Sequence, residues 1–335
     1  MKEKVVAVDL GGTSLRLGIV DSAGRITRRR RLAMKGFTTR DQLYLWLAEA
    51  IGGFIEDRPS TREDNPRRRG GHGPQARRAG CDPRGPAAIG IGFAGPSDAE
   101  RGLIYYAPNV GCMTDLRVGS KLTKLLGLPT FLENDANCAA LGEHWRGAGR
   151  GARSLFLFTV GTGIGGCFLI DGQVWHGQHG IAGEIGHTIV AAGGPRCNCG
   201  KEGCLEALVS ATAILRDYRR AAGIAVGTPT ELTAKMVFDR ARQGDAAARS
   251  VVDRSARALG IGIANVFHLL NPELILIGGG VSRAGRMLLG PATEEARRAI
   301  FPPLRTALKV KRASLGDDAG LLGAARVAFR RLAGI

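Results

Sequence analysis

Long apolar runs are missing from this chain. No stretch approaches the ~18 uninterrupted apolar residues of a membrane-spanning helix, which excludes an integral helical membrane protein. The opening Met1-Lys-Glu-Lys4 passes straight into the strand-like Val5-Val-Ala-Val8 without the anatomy of a secretory leader, so a cytoplasmic protein is expected. No Gly-x-x-x-x-Gly-Lys-Ser/Thr sequence occurs, which excludes a Walker-type phosphate loop. Negative charge is scarce: 30 acidic residues face 47 basic ones, a formal net charge of +17. That excess could signal nucleic-acid binding. It consists of 9 Lys and 38 Arg spread along the chain, however, and only Arg28–Arg31 and Arg67–Arg69 cluster. Neither cluster is interleaved with aromatics, so nucleic acid is not the expected partner. Aromatic content is only 5%, but hydrophobic content of 44% over 335 residues is ordinary for a soluble protein of about two domains.

Paired cysteine spacings are also absent. Of seven cysteines, Cys81, Cys112, Cys138 and Cys167 are scattered, while Cys197, Cys199 and Cys204 cluster a few residues after His187. In a reducing compartment such a cluster is a metal site rather than a disulfide framework. One imidazole and three thiolates complete a tetrahedral, structural set for Zn²⁺. Two carboxylates, Glu184 and Glu206, flank the set, and zinc has no use for them. They are expected to serve a polar substrate bound next door.

Glycine is plentiful, and it is patterned. Val5-Val-Ala-Val-Asp-Leu-Gly-Gly-Thr13 is an apolar strand that runs into an acid and a glycine turn, followed by the amphipathic Ser14–Val20. The plan recurs in Leu155-Phe-Leu-Phe-Thr-Val-Gly-Thr-Gly163, followed by Ile164–Ile170. Aligning the two sets Thr159 on Asp9, Gly161 on Gly11 and Gly163 on Thr13. Each reads as a β-hairpin whose turn can offer backbone N–H groups to an anion. Repetition at about 150 residues predicts two similar domains facing each other across a cleft, each lending a turn to one phosphorylated ligand. Strands rather than helices follow the glycines, which excludes a Rossmann unit. A third strand, Glu273–Ile277, runs into Gly278-Gly279-Gly280 and Val281, after a helical pattern over Ala256–Leu270. Such glycines let a chain pass close to a flat base or ribose.

The sequence Leu132-Glu-Asn-Asp-Ala-Asn137 places Asn134 and Asp135 at a strand-to-helix junction. Asn and Asp are favoured helix caps. Four polar residues crowd this junction where a cap needs one, and Asp135 is the candidate general base for an attacking hydroxyl.

Together these residues resemble the ROK family of sugar kinases and related repressors. The resemblance runs from Val5 to about Ala325 and also rests on Gly90–Asp98, Ala107-Pro-Asn109, Ala182-Gly-Glu-Ile-Gly-His187 and the cysteine cluster through Glu206. It implies an α/β protein with the duplicated ribonuclease-H-like fold of the actin and hexokinase ATPases. The smaller domain would span 1–133 with a C-terminal helix at 321–335, and the larger one 134–320. It implies that Asp135 is the catalytic base, with Asn109, Asn134, Glu184, His187 and Glu206 binding sugar hydroxyls. Asp9, Gly11, Gly12, Thr13, Gly161, Thr162, Gly163 and Gly278–Gly280 would hold ATP and its Mg²⁺. His187 would give one ring nitrogen to zinc and the other to the sugar. The implied reaction is phosphorylation of a hexose at its 6-hydroxyl, glucose first, by a homodimer or homotetramer.

Three departures from the family pattern stand out. Ala94-Gly-Pro96 replaces a Pro-Gly-Pro loop, and Gly111-Cys-Met113 replaces an aromatic expected after Asn109, which blurs the choice among glucose, N-acetylglucosamine, N-acetylmannosamine and fructose. Arg58–Gly85 carries eight Arg against Glu63, Asp64 and Asp82 and few apolar residues, the composition of a disordered or surface insertion. The alternative of another class is a sugar-responsive repressor. The first glycine loop begins at residue 9, which leaves no expected room for a DNA-binding domain ahead of it.

Overall fold

The computed structural model describes residues 3–34, 36–56, 85–107, 113–225 and 231–335. Asn109, Gly111, Cys112 and all of Arg58–Gly85 except Gly85 lie outside the described residues. The chain divides into two compact units, one within Met1–Cys138, His179–Ile181 and Gly320–Ile335, the other Ala139–Gln178 and Ala182–Ala319.

In the first unit β1 (Lys4–Leu10) and β2 (Ser14–Asp21) form the expected hairpin, and β3 (Ile26–Ala33) continues it antiparallel. Helix α1 (Arg40–Ile55) begins at a capping box in which Thr39 and Gln42 bond each other's backbone N–H. Its Leu43, Leu47, Ile51 and Phe54 recur at helical spacing and join Val6, Val8, Leu10, Leu15 and Leu17 in one core. Strand β4 (Ile89–Phe93) pairs parallel to β1; then come a small sheet of β5 (Ser97–Asp98), β6 (Leu103–Ala107) and β7 (Met113–Leu116), and α2 (Val118–Leu126). Strand β8 (Thr130–Asn134) closes the main sheet in the order β3-β2-β1-β4-β8.

The Gly90-Ile-Gly-Phe93 alternation on β4 has a packing cause. Ile89, Ile91 and Phe93 face the α1 core. The glycine face meets the C-terminal helix, Ala319–Leu332: a Cβ on Gly90 would fall 1.9 Å from the Ala324 carbonyl oxygen. Only glycine allows so close a helix-to-strand approach.

Helix α3 (Asp135–Arg146) leaves β8 directly and enters the second unit. There β9 (Ser154–Val160) and β10 (Ile164–Ile170) repeat the hairpin, with a two-residue β11 (Gln173–Val174) at the edge. After α4 (Glu206–Val209), α5 (Ala211–Ala221), α6 (Ala234–Arg242) and α7 (Ala246–Leu270), β12 (Leu274–Gly278) runs parallel to β9. Helix α8 (Arg286–Ala299), β13 (Val310–Arg312) and α9, the C-terminal helix, complete the chain. The sheet order is β11-β10-β9-β12-β13, with the same succession of antiparallel and parallel pairs as the first. The duplication expected from the glycine hairpins is therefore real. Helix α7 starts ten residues earlier than its clearest apolar stretch, because Asp245 caps it through the Ala248 N–H at 3.0 Å and Val251 and Val252 extend its buried face. It ends at Asn271, a left-handed cap with φ 43°, ahead of Pro272.

Strand β3 lies at an edge of the first sheet. Arg28 and Arg30 lay their guanidinium groups over the Phe54 ring at 4.6 and 5.3 Å, while Arg29 and Arg31 point to solvent. The basic run is a strand with alternating faces. No helix among the described residues is long and apolar enough to cross a membrane.

Candidate active site and metal loop

The first glycine turn is built between Leu10 and Leu15, which pair across the hairpin and leave Gly11–Ser14 as the turn. Gly11 N–H donates to Ser14 O at 3.1 Å, and Thr13 O accepts from Met34 N–H at 3.0 Å. Among the described residues, the N–H groups of Gly12 and Thr13 donate to no protein acceptor, the arrangement an anion-binding turn needs. Asp9, largely buried at the foot of the turn, is ion-paired at 2.6 Å with Arg16, its cross-strand partner. Arg16 is a member of this site that the sequence reading passed over; its register opposite Asp9 was the available signal.

The second turn is shorter. Val160 pairs with Ile164, so only Gly161–Gly163 are left between them. Thr159 and Gly161 do correspond to Asp9 and Gly11 on the incoming strands. The outgoing strands are one residue out of step, so Gly163 does not stand where Thr13 stands; the exposed tips are Thr13 and Thr162. That part of the alignment is corrected by the one-residue difference in turn length. Thr162 and Gly163 again keep N–H groups with no protein acceptor among the described residues.

Glu184 caps the 3₁₀ turn Ile185–His187, which sets Glu184 and His187 one turn apart on the same side. The glycines of Ala182-Gly-Glu-Ile-Gly-His187 fit this segment onto β10. A Cβ on Gly183 would lie 2.4 Å from Gly166 O, and one on Gly186 2.2 Å from Ile164 O. Although Glu184 remains exposed as a residue, burial around its carboxyl raises its pKa; Glu206 adds to the rise and His187 opposes it.

The cysteine loop folds on its own backbone: Cys197 N–H donates to Lys201 O at 2.8 Å and Gly200 N–H to Cys197 O at 3.0 Å. The ligand atoms of His187, Cys197, Cys199 and Cys204 all lie within 4.8 Å of one another. Cys197 Sγ is 3.8 Å from His187 Nδ1, and Cys199 Sγ is 3.6 Å from Cys204 Sγ. A tetrahedron of ~2.3 Å zinc–sulfur bonds has edges of about 3.8 Å, so the donors fit a closed four-ligand site. Nδ1 faces the sulfurs, which leaves Nε2 for a different partner. A backbone N–H from Lys201 draws the exposed Cys199 thiol down to about 7, while burial pushes Cys204 up to about 12.

At the β8–α3 junction Asn134 is the main cap, and the candidate base Asp135 shares one of its donors, its Oδ1 accepting from Ala136 N–H at 2.8 Å. Asn134 Oδ1 accepts from Ala136 N–H at 2.8 Å and Asn137 N–H at 3.3 Å. Buried Glu133 accepts from Asn134 N–H at 2.9 Å and Asn137 Nδ2 at 2.8 Å, and Asn134 Nδ2 donates to Gly95 O at 3.3 Å. The surplus polar residues thus lock the cap. Asp135 is exposed as the first residue of α3. Asn109 lies outside the described residues.

The three glycines after β12 have different duties. Gly279, with φ 79°, makes its close approach to β9, where a Cβ would stand 2.3 Å from Val160 O. Gly280 faces open space, as a ligand-facing position would. Glu143 of α3 was also missed. It is fully buried, and its carboxylate accepts from Ala148, Ser314 and Leu315 N–H groups at 2.7–2.9 Å and from Ser314 Oγ at 3.2 Å. Two of those partners are some 170 residues away, beyond any local signal.

The profile of the ROK family matches residues 79–331. The chain belongs to the ROK family. Among ROK relatives it is 38% identical to the glucokinase of Thermotoga maritima over 341 aligned positions, 99% of each chain. Its structure is similar to the ROK hexokinase of Thermus thermophilus, with a TM-score of 0.80 and 34% identity over 99% of this chain and 100% of that one. It is also similar to a ROK glucokinase of Streptomyces griseus solved with glucose and AMPPNP, with a TM-score of 0.77 and 32% identity over 98% and 100%. The two matched sheets are thus the actin/hexokinase-like ATPase fold of ROK sugar kinases.

Proposed function

We propose that this chain transfers the γ-phosphoryl group of ATP to the 6-hydroxyl of a hexose, and that the hexose is glucose. The observation that carries the reading is end-to-end 38% identity with a glucokinase, joined to a chain that keeps both anion-ready turns and Asp135. In this reading Asp135 takes the proton of the attacking hydroxyl, a role typically worth ~10²–10⁴ in rate. Asn109, Asn134, Glu184, His187 and Glu206 hold the sugar hydroxyls. Asp9, Gly11–Thr13 and Gly161–Gly163 serve the phosphates with Mg²⁺, and Gly278–Gly280 serve the adenosine end, Gly280 most directly. Phosphoryl transfer asks mainly for positioning and charge neutralisation, which backbone N–H groups and a divalent ion supply.

Zinc at His187, Cys197, Cys199 and Cys204 is structural in this proposal. Four protein ligands leave no open position for water or substrate. The ion would fix the cysteine loop, and with it the ring of His187, whose second nitrogen can donate to a sugar oxygen.

The test is ADP release from Mg-ATP over a panel of hexoses and N-acetylhexosamines. Glucose is expected to give the highest kcat/KM. A preference for N-acetylmannosamine, N-acetylglucosamine or fructose would overturn the sugar assignment, and no sugar-dependent ADP release would overturn the kinase reading.

A further inference from the structure

A turn rich in glycine is the most mobile kind of backbone, and fixing its shape requires bonds from outside the turn. The Gly161–Gly163 turn has two such bonds and Ile164, the strand residue that follows it, has a third, all from one segment of seven residues. Glu206 Oε2 accepts from Ile164 N–H at 2.9 Å. Ala211 N–H donates to Gly161 O at 2.8 Å, and Thr212 Oγ1 donates to Thr162 O at 3.1 Å. The Gly161 and Thr162 carbonyls are thereby drawn toward residues 206–212, while the Thr162 and Gly163 N–H groups keep no protein acceptor among the described residues.

Glu206 also decides a residue type. A Cβ on Gly163 would sit 2.5 Å from Glu206 Oε2, so a larger residue there would have to displace the carboxylate from its brace. The segment starts two residues after Cys204, and Glu206 Oε1 lies 4.0 Å from Cys197 Sγ. A single side chain therefore touches the metal loop on one side and the glycine turn on the other.

We propose that Glu206 is a positioning residue for the nucleotide: with Ala211 and Thr212 it sets the conformation in which the 161–163 turn presents its N–H groups to a phosphate. The inference rests on the reading that this turn receives ATP, and it adds a second duty to a residue assigned above to the sugar. A carboxylate has about four lone-pair sites, enough to brace Ile164 N–H and accept a sugar hydroxyl together. Nucleotide and sugar affinities are then linked through one side chain, reciprocally. Electrostatics alone would predict the opposite sign. A negative charge beside a phosphate turn repels the ligand, and removing it would tighten nucleotide binding.

The experiment measures MgAMPPNP affinity without sugar, glucose affinity without nucleotide, and bound zinc, for Glu206→Gln, Glu206→Ala and Thr212→Val. Glutamine keeps an acceptor for Ile164 N–H, so Glu206→Gln should hold MgAMPPNP within about threefold of the unaltered protein. Glu206→Ala loses the acceptor and should bind it about tenfold more weakly, the effect of one charge-assisted hydrogen bond. Glucose affinity should fall in both. Thr212→Val touches neither metal nor sugar residues and should weaken MgAMPPNP about threefold, with glucose and zinc unchanged. Equal MgAMPPNP affinity for Glu206→Ala and Glu206→Gln, with zinc retained, overturns the proposal. If Glu206→Ala loses zinc, Thr212→Val decides, and unaltered nucleotide affinity in that variant overturns it. Failure of the unaltered protein to bind MgAMPPNP would instead sink the proposed function on which the inference stands.

Discussion

The two glycine turns close equivalent hairpins of equivalent sheets, yet they are braced in different ways. The first is held from nearby in the chain: Asp9 is paired with Arg16 directly across the strands, and the turn is bonded through Ser14 and through Met34, just past β3. The second is braced by residues 42 or more positions away that follow the cysteine loop. The two copies share a topology, while one of them rests on the segment that follows the cysteine loop. Equivalent backbone positions can carry unlike dependencies, and the second copy is the one tied to the order of the cysteine loop.

The same contrast of local with distant support orders the expected effects. Largest is Asp135→Asn, beside the mostly local cap of Glu133, Asn134 and Asn137. Turnover of Mg-ATP and glucose should fall by ~10²–10⁴ with sugar affinity and melting temperature nearly unchanged. A kcat within threefold of the unaltered enzyme would remove Asp135 from its role. Glu143→Ala tests distant support in the second unit. It leaves three half-buried backbone donors without the buried carboxylate that accepts from them and should cost about 2 kcal/mol in urea unfolding. A loss below about 1 kcal/mol would mean that water replaces the carboxylate.

Next comes Cys199→Ser. Bound zinc measured by atomic emission should be lost and glucose affinity should fall about tenfold or more, through His187 and Glu206. Under the contrast drawn here, protease cutting should increase in the second unit and not near Gly11–Thr13. Smallest is the comparison of the two aspartates that end the hairpins. Asp21 wraps its turn, accepting from Ala23 N–H at 3.0 Å and from Arg25 N–H and Nε at 2.9 Å. Burial raises its pKa, but the bonds and charge of Arg25 and the Ala23 N–H outweigh that and hold it below the usual 3.8. Its stabilising contribution is therefore present above pH 3.8 and lost as the pH falls through its lower folded value. Asp21→Asn should cost about 1 kcal/mol at neutral pH, with the difference vanishing in acid. Asp171→Asn, at an exposed position, should stay within ~0.5 kcal/mol. Equal costs for the two would erase the distinction.

Much of this was legible in the sequence because it is local. Hairpins announce themselves by apolar runs on either side of glycine, and the cysteine spacing places its ligands before any fold is known. The junction at Asn134 and Asp135 was read for the same reason. What escaped depends on partners far along the chain: Glu143 with Ser314, Glu206 with Ile164, Gly90 with Ala324. Glycines were read as ligand-facing where some serve packing; Gly279 yields to Val160 and Gly163 to Glu206. A glycine says that something comes close, and only the fold says whether that neighbour is ligand or protein.

The arginines of β3 bear on how copies of this chain can meet. An exposed strand edge invites another strand, and interspersed positive charges make that encounter repulsive. Four consecutive arginines on an eight-residue edge strand place such charges on both of its faces. The corresponding edge of the second sheet is guarded by brevity, since β11 offers two residues. Sheet-to-sheet extension is blocked at both of these borders, one by charge and one by length. In crowded solution the two edges thus resist strand addition by different means, one by charge repulsion and one by offering too few backbone bonds.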